Sequence, residues 1–186
     1  IKMINLAHNE IWDPDDGSFF ATNTTIELLN LEGNFIHDEG IEAIARGIWQ
    51  NRGTNLERLY LGWNGIGDDG CIQLAKMLES NTKLVTLGLG ENDITSIGAR
   101  AILASMASNS TLKEITGLYH NQIDRKFIIV AIKQLLQSNN GGSTEPKSEE
   151  NSILEESLAA METLAEPLGS KLPPPNEEGS EGSLDW

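Results

Sequence analysis

The chain has 186 residues, enough for one ordinary domain and an appendage, and its 39% hydrophobic content with only 5% aromatic residues predicts a mostly aliphatic core. Its formal net charge of −15, without any cluster of Lys or Arg, argues against nucleic acid or an anionic membrane surface as the main partner, because phosphate binding needs such clusters. No apolar run reaches the roughly 18 residues of a membrane-spanning helix, and the single cysteine, Cys71, excludes an internal disulfide framework.

The first predicted element is a strand followed by a turn. Its apolar positions and its turn asparagine are Ile1, Ile4, Leu6, Asn9 and Ile11. The segment that follows, residues 12–25, is short and irregular and contains Pro14 and Gly17. We therefore expect a truncated first unit, whose pattern is already under way at the first residue.

The same positions recur along the rest of residues 1–140. The second unit has Ile26, Leu29, Leu31, Asn34, Ile36, Gly40, Ile44 and Ile48. The third, 30 residues later, has Leu56, Leu59, Leu61, Asn64, Ile66, Gly70, Leu74 and Leu78. The fourth, 28 residues further on, has Leu84, Leu87, Leu89, Asn92, Ile94, Gly98, Ile102 and Met106. The last has Leu112, Ile115, Leu118, Asn121 and Ile123, and one residue inserted near Gly117 predicts a bulge in its strand.

Each full unit changes period half-way, which predicts one strand and one helix. Leu59-Tyr60-Leu61 alternates between the core and the opposite face, as in a strand. The spacing of four from Ile66 to Leu78 places these residues on one helical stripe. Three polar residues, Asp38, Asp68 and Ser96, precede the helices and are expected to cap them, and Gly40, Gly70 and Gly98 are expected to let neighbouring helices approach closely.

An asparagine follows every predicted strand, at positions 9, 34, 64, 92 and 121. Its amide can satisfy main-chain groups of neighbouring turns, so we expect a structural ladder. Asn23-Thr24-Thr25 and Asn109-Ser110-Thr111 also match the glycosylation acceptor pattern. Both fall where the repeat itself favours Asn and Thr, so we interpret these two matches as coincidence.

The pattern L-x-x-L-x-L-x-x-N-x-L identifies a leucine-rich repeat, and residues 1–140 resemble the ribonuclease-inhibitor-like branch of that superfamily. The 28-residue period and the second half, I-x-x-x-G-x-x-x-[LI]-[AL]-x-x-[LIM], carry the closer resemblance. It implies an α/β fold: a right-handed leucine-rich-repeat solenoid of about four to five units, with parallel strands on the concave face and helices on the convex face.

The outward positions of the strands are the candidate functional surface. Arg, Tyr and Trp are the side chains most enriched at the energetic centres of protein interfaces. We therefore predict a partner-binding site formed by Arg58, Tyr60, Trp63, Glu91, Tyr119 and His120. The alternative for Trp63 is a structural role, in which its ring packs over the end of the strand.

Catalytic and metal-binding constellations are missing from the sequence. His8, His37 and His120 fall in different units, and Cys71 has no partner cysteine at metal-ligand spacing. Glycine-rich stretches such as Leu61–Gly65 recur with the repeat and lack the lysine of a phosphate-binding loop. We expect no catalytic residue, no metal and no cofactor, and we interpret Cys71 as a small buried residue.

Residues 141–186 form the predicted appendage, an acidic, low-complexity tail. They hold 11 acidic and two basic side chains, a net charge of −9, which leaves −6 for residues 1–140. This composition predicts disorder. One short amphipathic helix is predicted at 152–166, and three alternatives remain open for it: a cap on the last repeat, a motif bound by a partner, or an unfolded segment.

The primary functional prediction is a protein–protein interaction module that binds its partner on the concave face. The alternative is a GTPase-regulating protein resembling the Ran GTPase activators, which pair such a solenoid with an acidic tail. A third is a piece of a longer array whose function lies in missing repeats. We expect a cytoplasmic or nuclear monomer that is not an enzyme, with an unidentified protein partner, and neither nucleic acid nor membrane.

Overall fold

The computed structural model describes residues 1–12, 17–118, 120–123, 132, 139 and 140. Short strands alternate with helices along this part of the chain. The elements are β1 (Met3–Asn5), α1 (Ser18–Thr22), β2 (Leu28–Asn30), α2 (His37–Gln50), β3 (Arg58–Tyr60), α3 (Asp68–Ser80), β4 (Thr86–Gly88), α4 (Ser96–Ser105) and β5 (Glu114–Thr116). The predicted alternation of one strand and one helix is confirmed for the units that begin with β2, β3 and β4. The acidic tail at 141–186 and the helix at 152–166 lie outside the described residues, so the boundary after residue 140 stays a prediction.

The strands form one parallel sheet in chain order, from β1 to β5. Pairing keeps the same register throughout, so that Leu29, Leu59, Leu87 and Ile115 lie side by side. Each helix packs on its neighbours in the sequence, α1 on α2, α2 on α3 and α3 on α4. The described units therefore stack as a solenoid, with the sheet on one side and the helices on the other.

The core lies between the sheet and the helices and is aliphatic, as the composition predicts. Leu59 and Leu61 are fully buried, while Arg58 points away from the core and is exposed. Leu74 and Leu78 of α3 cover the leucines from the helix side. The residues of the predicted helical stripe from Ile66 to Leu78 are buried as expected. Helix α3 begins only at Asp68, however, so Ile66 lies before the helix.

The predicted asparagine ladder is confirmed, and Asn92 illustrates it. Its amide nitrogen donates to the carbonyl oxygens of Leu61 at 3.0 Å and Leu89 at 3.1 Å. Its amide oxygen accepts from the main-chain nitrogens of Asn64 and Ile66, both at 3.0 Å. One side chain thus satisfies main-chain groups of two successive units, which would otherwise be buried without partners.

A second asparagine ladder, which the repeat pattern had not predicted, runs along the opposite edge, where the helices end. Its members are Asn23, Asn51, Asn81, Asn109 and Asn139. Asn109 donates to the carbonyl oxygens of Leu78 at 2.8 Å and Asn81 at 3.1 Å, and it is buried. Its amide nitrogen is therefore committed to the fold, which supports coincidence as the explanation of the acceptor pattern at Asn109. The signal in the sequence was an asparagine recurring every 28 to 30 residues.

The expectation that Asp38, Asp68 and Ser96 cap their own helices is wrong. The residues before the helices are Ile36, Gly67 and Thr95, and only Thr95 caps its own helix, by accepting from the main-chain nitrogen of Ile97 at 3.2 Å. The two aspartates instead bind the next unit: Asp38 accepts from the nitrogen of Gly67 at 2.7 Å, and Asp68 from that of Gly98 at 2.8 Å. Ser96 is the first residue of α4.

These aspartates explain two of the helix glycines. A methyl group at Gly98 would lie 2.7 Å from Asp68 Oδ1 and 2.9 Å from the Cβ atom of Cys71. At Gly70, the corresponding distance to Asp38 Oδ1 would be 2.5 Å. The prediction of close approach at Gly70 and Gly98 is confirmed, and the group that approaches is a carboxylate of the preceding unit.

The two ends of the sheet differ from its middle. The predicted bulge in the last strand is confirmed, because Leu89 donates to Thr116 and Glu91 to His120, both at 2.9 Å. A step of two positions, from Leu89 to Glu91, is thus matched by a step of four, from Thr116 to His120, and Gly117 has a φ angle of 73°. At the other end Leu6, directly after the outer strand β1, is 39% exposed, because no unit described here covers it.

Candidate functional site

The outward side chains of the strands form two rows across the sheet. The first row is Met3, Leu28, Arg58, Thr86 and Glu114, and the second is Asn5, Asn30, Tyr60, Gly88 and Thr116. Members of a row are neighbours because parallel strands lie about 4.8 Å apart. The rows are therefore continuous surfaces to which several units contribute.

Tyr60 is the largest side chain of the second row, and it leans toward β4. A methyl group at Gly88 would lie 2.8 Å from the Tyr60 ring carbon Cδ1 and 3.1 Å from the Thr116 hydroxyl oxygen. The ring thus occupies the space that the missing Gly88 side chain leaves, and it is half-buried. Tyr60 therefore contributes only part of its side chain to this surface.

Trp63 lies just beyond the end of β3, directly before the ladder residue Asn64. Its backbone is left-handed, with φ at 57°, and its side chain is 60% exposed. The corresponding residues of three other units are His8, Gly33 and Glu91, and they are left-handed too, with φ angles of 57°, 67° and 55°. The repeat therefore imposes this conformation, which a glycine adopts without steric cost and a bulky residue does not.

Glu91 and His120 are brought together, one unit beyond Trp63. The carboxylate oxygen Oε1 of Glu91 lies 3.3 Å from His120 Nδ1, and both side chains are about half exposed. Trp63 is tied to the same edge through its main-chain nitrogen, which donates to the carbonyl oxygen of Gly90 at 3.0 Å. Trp63, Glu91 and His120 thus follow one another along the edge where the strands end.

The six predicted site residues do not form one compact cluster. Arg58 is exposed at the start of β3, at the opposite end of that strand from Trp63. Tyr60 lies between the two and contacts Gly88. Tyr119 lies outside the described residues. The structure thus places the described members on one face but brings only Glu91 and His120 into direct contact.

Glu32 is a further polar residue on this face that the predicted site left out. A methyl group at Gly62, the residue before Trp63, would lie 3.3 Å from Glu32 Oε1. Glu32 also accepts a hydrogen bond from the Asn30 side chain at 3.3 Å. Glu32 lies two residues after β2, on the predicted surface. The glycine at position 62 is the feature of the sequence that indicates its role, because it lets the Glu32 carboxylate extend across the neighbouring unit.

The described residues hold few features of a catalytic or metal site. No group of three or more His, Cys, Asp and Glu among them is arranged to hold a metal ion. Two clefts that they form have volumes of about 10 and 60 Å³, small against the 300–1,000 Å³ of typical ligand sites. None of the helices in the described ranges is long and apolar enough to cross a membrane.

Cys71 lies in the core, as predicted. Burial raises the pKa of its thiol, and the nearby carboxylates of Asp68 and Asp38 raise the pKa further. The thiol is therefore held protonated, which is the unreactive form of cysteine. Nothing about its surroundings suits a nucleophile.

Comparison with known families fits this architecture. Residues 22–45, 54–75 and 80–103 match the family model described as Leucine Rich repeat. The chain is a leucine-rich-repeat protein. Its repeats are of the ribonuclease-inhibitor-like type, as the resemblance in the sequence indicated.

Two relatives of this leucine-rich-repeat protein match about half of it. It is 30% identical over 89 residues to NACHT, LRR and PYD domains-containing protein 3 of Mus musculus. The matched segment covers 48% of this chain and 8% of that protein. It is 30% identical over 106 residues to RAN GTPase-activating protein 2 of Arabidopsis thaliana, covering 53% of this chain and 19% of that one. The matched segments are thus a small part of each relative.

A solved structure extends the comparison along more of the chain. The leiomodin-1 actin-binding site 2 superimposes with a TM-score of 0.65, covering 86% of this chain and 88% of that one. Sequence identity is 19%, so this likeness concerns the fold alone.

Proposed function

We propose that this leucine-rich-repeat protein is a protein-interaction module that binds its partner on the strand face, at the edge where Trp63 lies. The observation that carries the proposal is the exposed side chain of Trp63. Local backbone geometry favours glycine at this position, yet the chain places a tryptophan there and leaves it 60% exposed. The repeat imposes this backbone on the equivalent residues of three other units, so what distinguishes Trp63 is its large, exposed aromatic side chain, which is typical of a protein interface.

The neighbouring residues support this assignment. Tyr60 offers a ring face next to Gly88, and Glu91 with His120 adds polar groups along the same edge. Arg58 extends the surface to the other end of β3. Together with Tyr119, these are the residues proposed to contact the partner. A large anchor surrounded by polar groups is how protein interfaces are commonly built.

The test is affinity capture with three baits: the wild-type chain, Trp63→Gly and Ile97→Ala. Ile97 is the matched control, because it lies on helix α4 and its exposure, 62%, is close to that of Trp63. We expect Trp63→Gly to lose a partner that wild type and Ile97→Ala retain in equal amounts by quantitative mass spectrometry. Partners retained equally by all three baits would exclude the Trp63 edge as the binding site.

The proposal includes the absence of catalysis. The described strand face holds no nucleophile placed beside a base, and we infer that the chain acts by binding alone. Regulation of a GTPase gains no specific support, because the similarity to the Ran GTPase-activating protein covers only 19% of that relative. A GTP-hydrolysis assay with added Ran should show no acceleration.

We further propose a monomer that acts in the cytoplasm, with the nucleus as an alternative. The net charge of −15 opposes association between copies. A single cysteine that is buried and free suits a reducing compartment. Sedimentation at micromolar concentration tests the oligomeric state, and fluorescence microscopy of a tagged chain tests the location.

A further inference from the structure

We infer that the Trp63 surface, defined as Trp63 with Glu32 and Glu91 from the two neighbouring units, binds a positively charged side chain of a protein partner. The inference rests on the proposed interaction function and specifies the chemistry of the partner. The partner presents an arginine or a lysine, whose charge lies over the indole ring and near the two carboxylates.

The indole ring supplies the first half of this site. Tryptophan has the most favourable ring face for a cation. The chain already uses such a contact elsewhere, since the guanidinium carbon of Arg52 lies 5.8 Å from the ring centre of Trp49. Within the described residues, Trp63 has no Lys or Arg over its ring, and 60% of the side chain is open to solvent. A cation from outside would approach this exposed part of the side chain.

The two carboxylates supply the second half. Glu32 reaches across from the preceding unit, with Oε1 3.3 Å from where a methyl group on Gly62 would be. Glu91 occupies the position equivalent to Trp63 in the following unit, where its Oε1 also lies 3.3 Å from His120 Nδ1. The hydrogen bond from the Trp63 nitrogen to Gly90 holds the two units in register. Since adjacent strands are about 4.8 Å apart, Trp63 lies between two units that each carry a carboxylate at this edge.

Charge complementarity selects this occupant over the alternatives. The chain's own residues 141–186 have a net charge of −9 and would be repelled by Glu32 and Glu91. A second copy carries a net charge of −15, which opposes the same contact. Nucleic acid is excluded by the same sign of charge. A basic segment of another protein is the occupant that both the ring and the carboxylates attract.

The test is a titration followed by NMR with two defined peptides. One is a glycine–serine heptapeptide with a single central arginine, and the other carries citrulline there, which has nearly the same shape and no charge. The Trp63 indole resonance is assigned as the one missing from Trp63→Gly. We expect the arginine peptide to shift this resonance in a saturable manner that weakens with added salt, and the citrulline peptide to leave it in place.

Charge-neutral variants locate the carboxylates. Glu32→Gln and Glu91→Gln should each raise the dissociation constant of the arginine peptide about two- to fivefold, the range of exposed ion pairs. Glu114→Gln is the matched control, an exposed glutamate on the same sheet but at the start of β5, and it should leave the constant unchanged. Circular dichroism of every variant checks that the fold is intact.

Two outcomes would overturn the inference: equal shifts with both peptides, or no shift with either. The capture experiment separates these outcomes from a failure of the proposed function. If Trp63→Gly loses a partner while Glu32→Gln and Glu91→Gln retain it fully, the interaction surface stands and its preference for a cation is wrong. If Trp63→Gly loses no partner, the proposed function itself is wrong.

Discussion

Asp68 caps the helix of the next unit, with its Oδ1 atom 2.8 Å from the main-chain nitrogen of Gly98. The same carboxylate accepts from the nitrogen of Thr95 at 2.9 Å and from its hydroxyl at 2.6 Å. A helix N-terminus leaves main-chain N–H groups without partners, and a carboxylate there is favoured by charge as well. The stack is therefore held together by polar contacts between units in addition to its aliphatic core.

Replacing Asp68 with Ala should lower the free energy of unfolding by about 1–2 kcal/mol, because the start of α4 loses its acceptor. Asp69 is the control, since it is the next residue in the same first turn and is exposed. Asp69→Ala should cost less than about 0.5 kcal/mol. Urea denaturation followed by circular dichroism measures both. Equal losses in the two variants would mean that the carboxylate acts only through the dipole of its own helix.

The ladder asparagines should differ in importance according to their place in the stack. Asn92→Ala removes hydrogen bonds to two units at a buried position, so we expect a loss of about 1–3 kcal/mol or more. Asn9 is exposed, and among the described residues its amide donates to Leu6 and Ala7 of its own unit. Asn9→Ala should therefore cost clearly less than Asn92→Ala in the same denaturation experiment. A larger loss for Asn9 would contradict the reading of the ladder as a contact between units.

The repeating pattern predicted the parts of the fold that depend on hydrophobic periodicity. Leu59 and Leu61 had to face the core once the alternation was recognised, and stacking of equal units then fixed a parallel sheet. The ladder at Asn92 was predictable for the same reason, since an invariant polar residue after every strand has one obvious structural use. The periodicity of the sequence thus predicts the core, the topology and the first asparagine ladder.

Contacts between units could not be predicted from local rules. A capping residue usually belongs to the helix that it caps, so Asp68 was predicted to cap α3. Gly98 in α4 leaves room for the Asp68 carboxylate of the preceding unit. The left-handed backbone of Trp63 was missed because tryptophan rarely adopts it. The sequence did contain a hint, the glycine at the corresponding position 33. A glycine at the same position of one unit indicates that the repeat needs a left-handed backbone there.

The raised pKa of the Cys71 thiol predicts slow alkylation of the folded protein. At any given pH, a raised pKa makes the thiolate fraction of Cys71 smaller than that of a free cysteine. The thiolate is the reactive form of the side chain. At pH 8 the folded chain should therefore react with iodoacetamide at least about tenfold more slowly than the chain unfolded in urea. Since Cys71 is the single cysteine, intact mass spectrometry reports its modification directly. Prompt labelling of the folded chain would show that the thiol is not held protonated in the core.

The conformation of Trp63 predicts an unusual order of stability among its variants. At an ordinary exposed position in a strand, alanine is more stabilising than glycine, but a left-handed backbone costs an L-residue about 1–2 kcal/mol. Trp63→Gly should therefore be more stable than Trp63→Ala by about 1 kcal/mol in urea denaturation. Glu114 provides the reverse case, because it lies in β5 and its φ angle is not positive. There the glycine variant should be the less stable one. If glycine were the less stable variant at both positions, the tryptophan would carry no backbone strain.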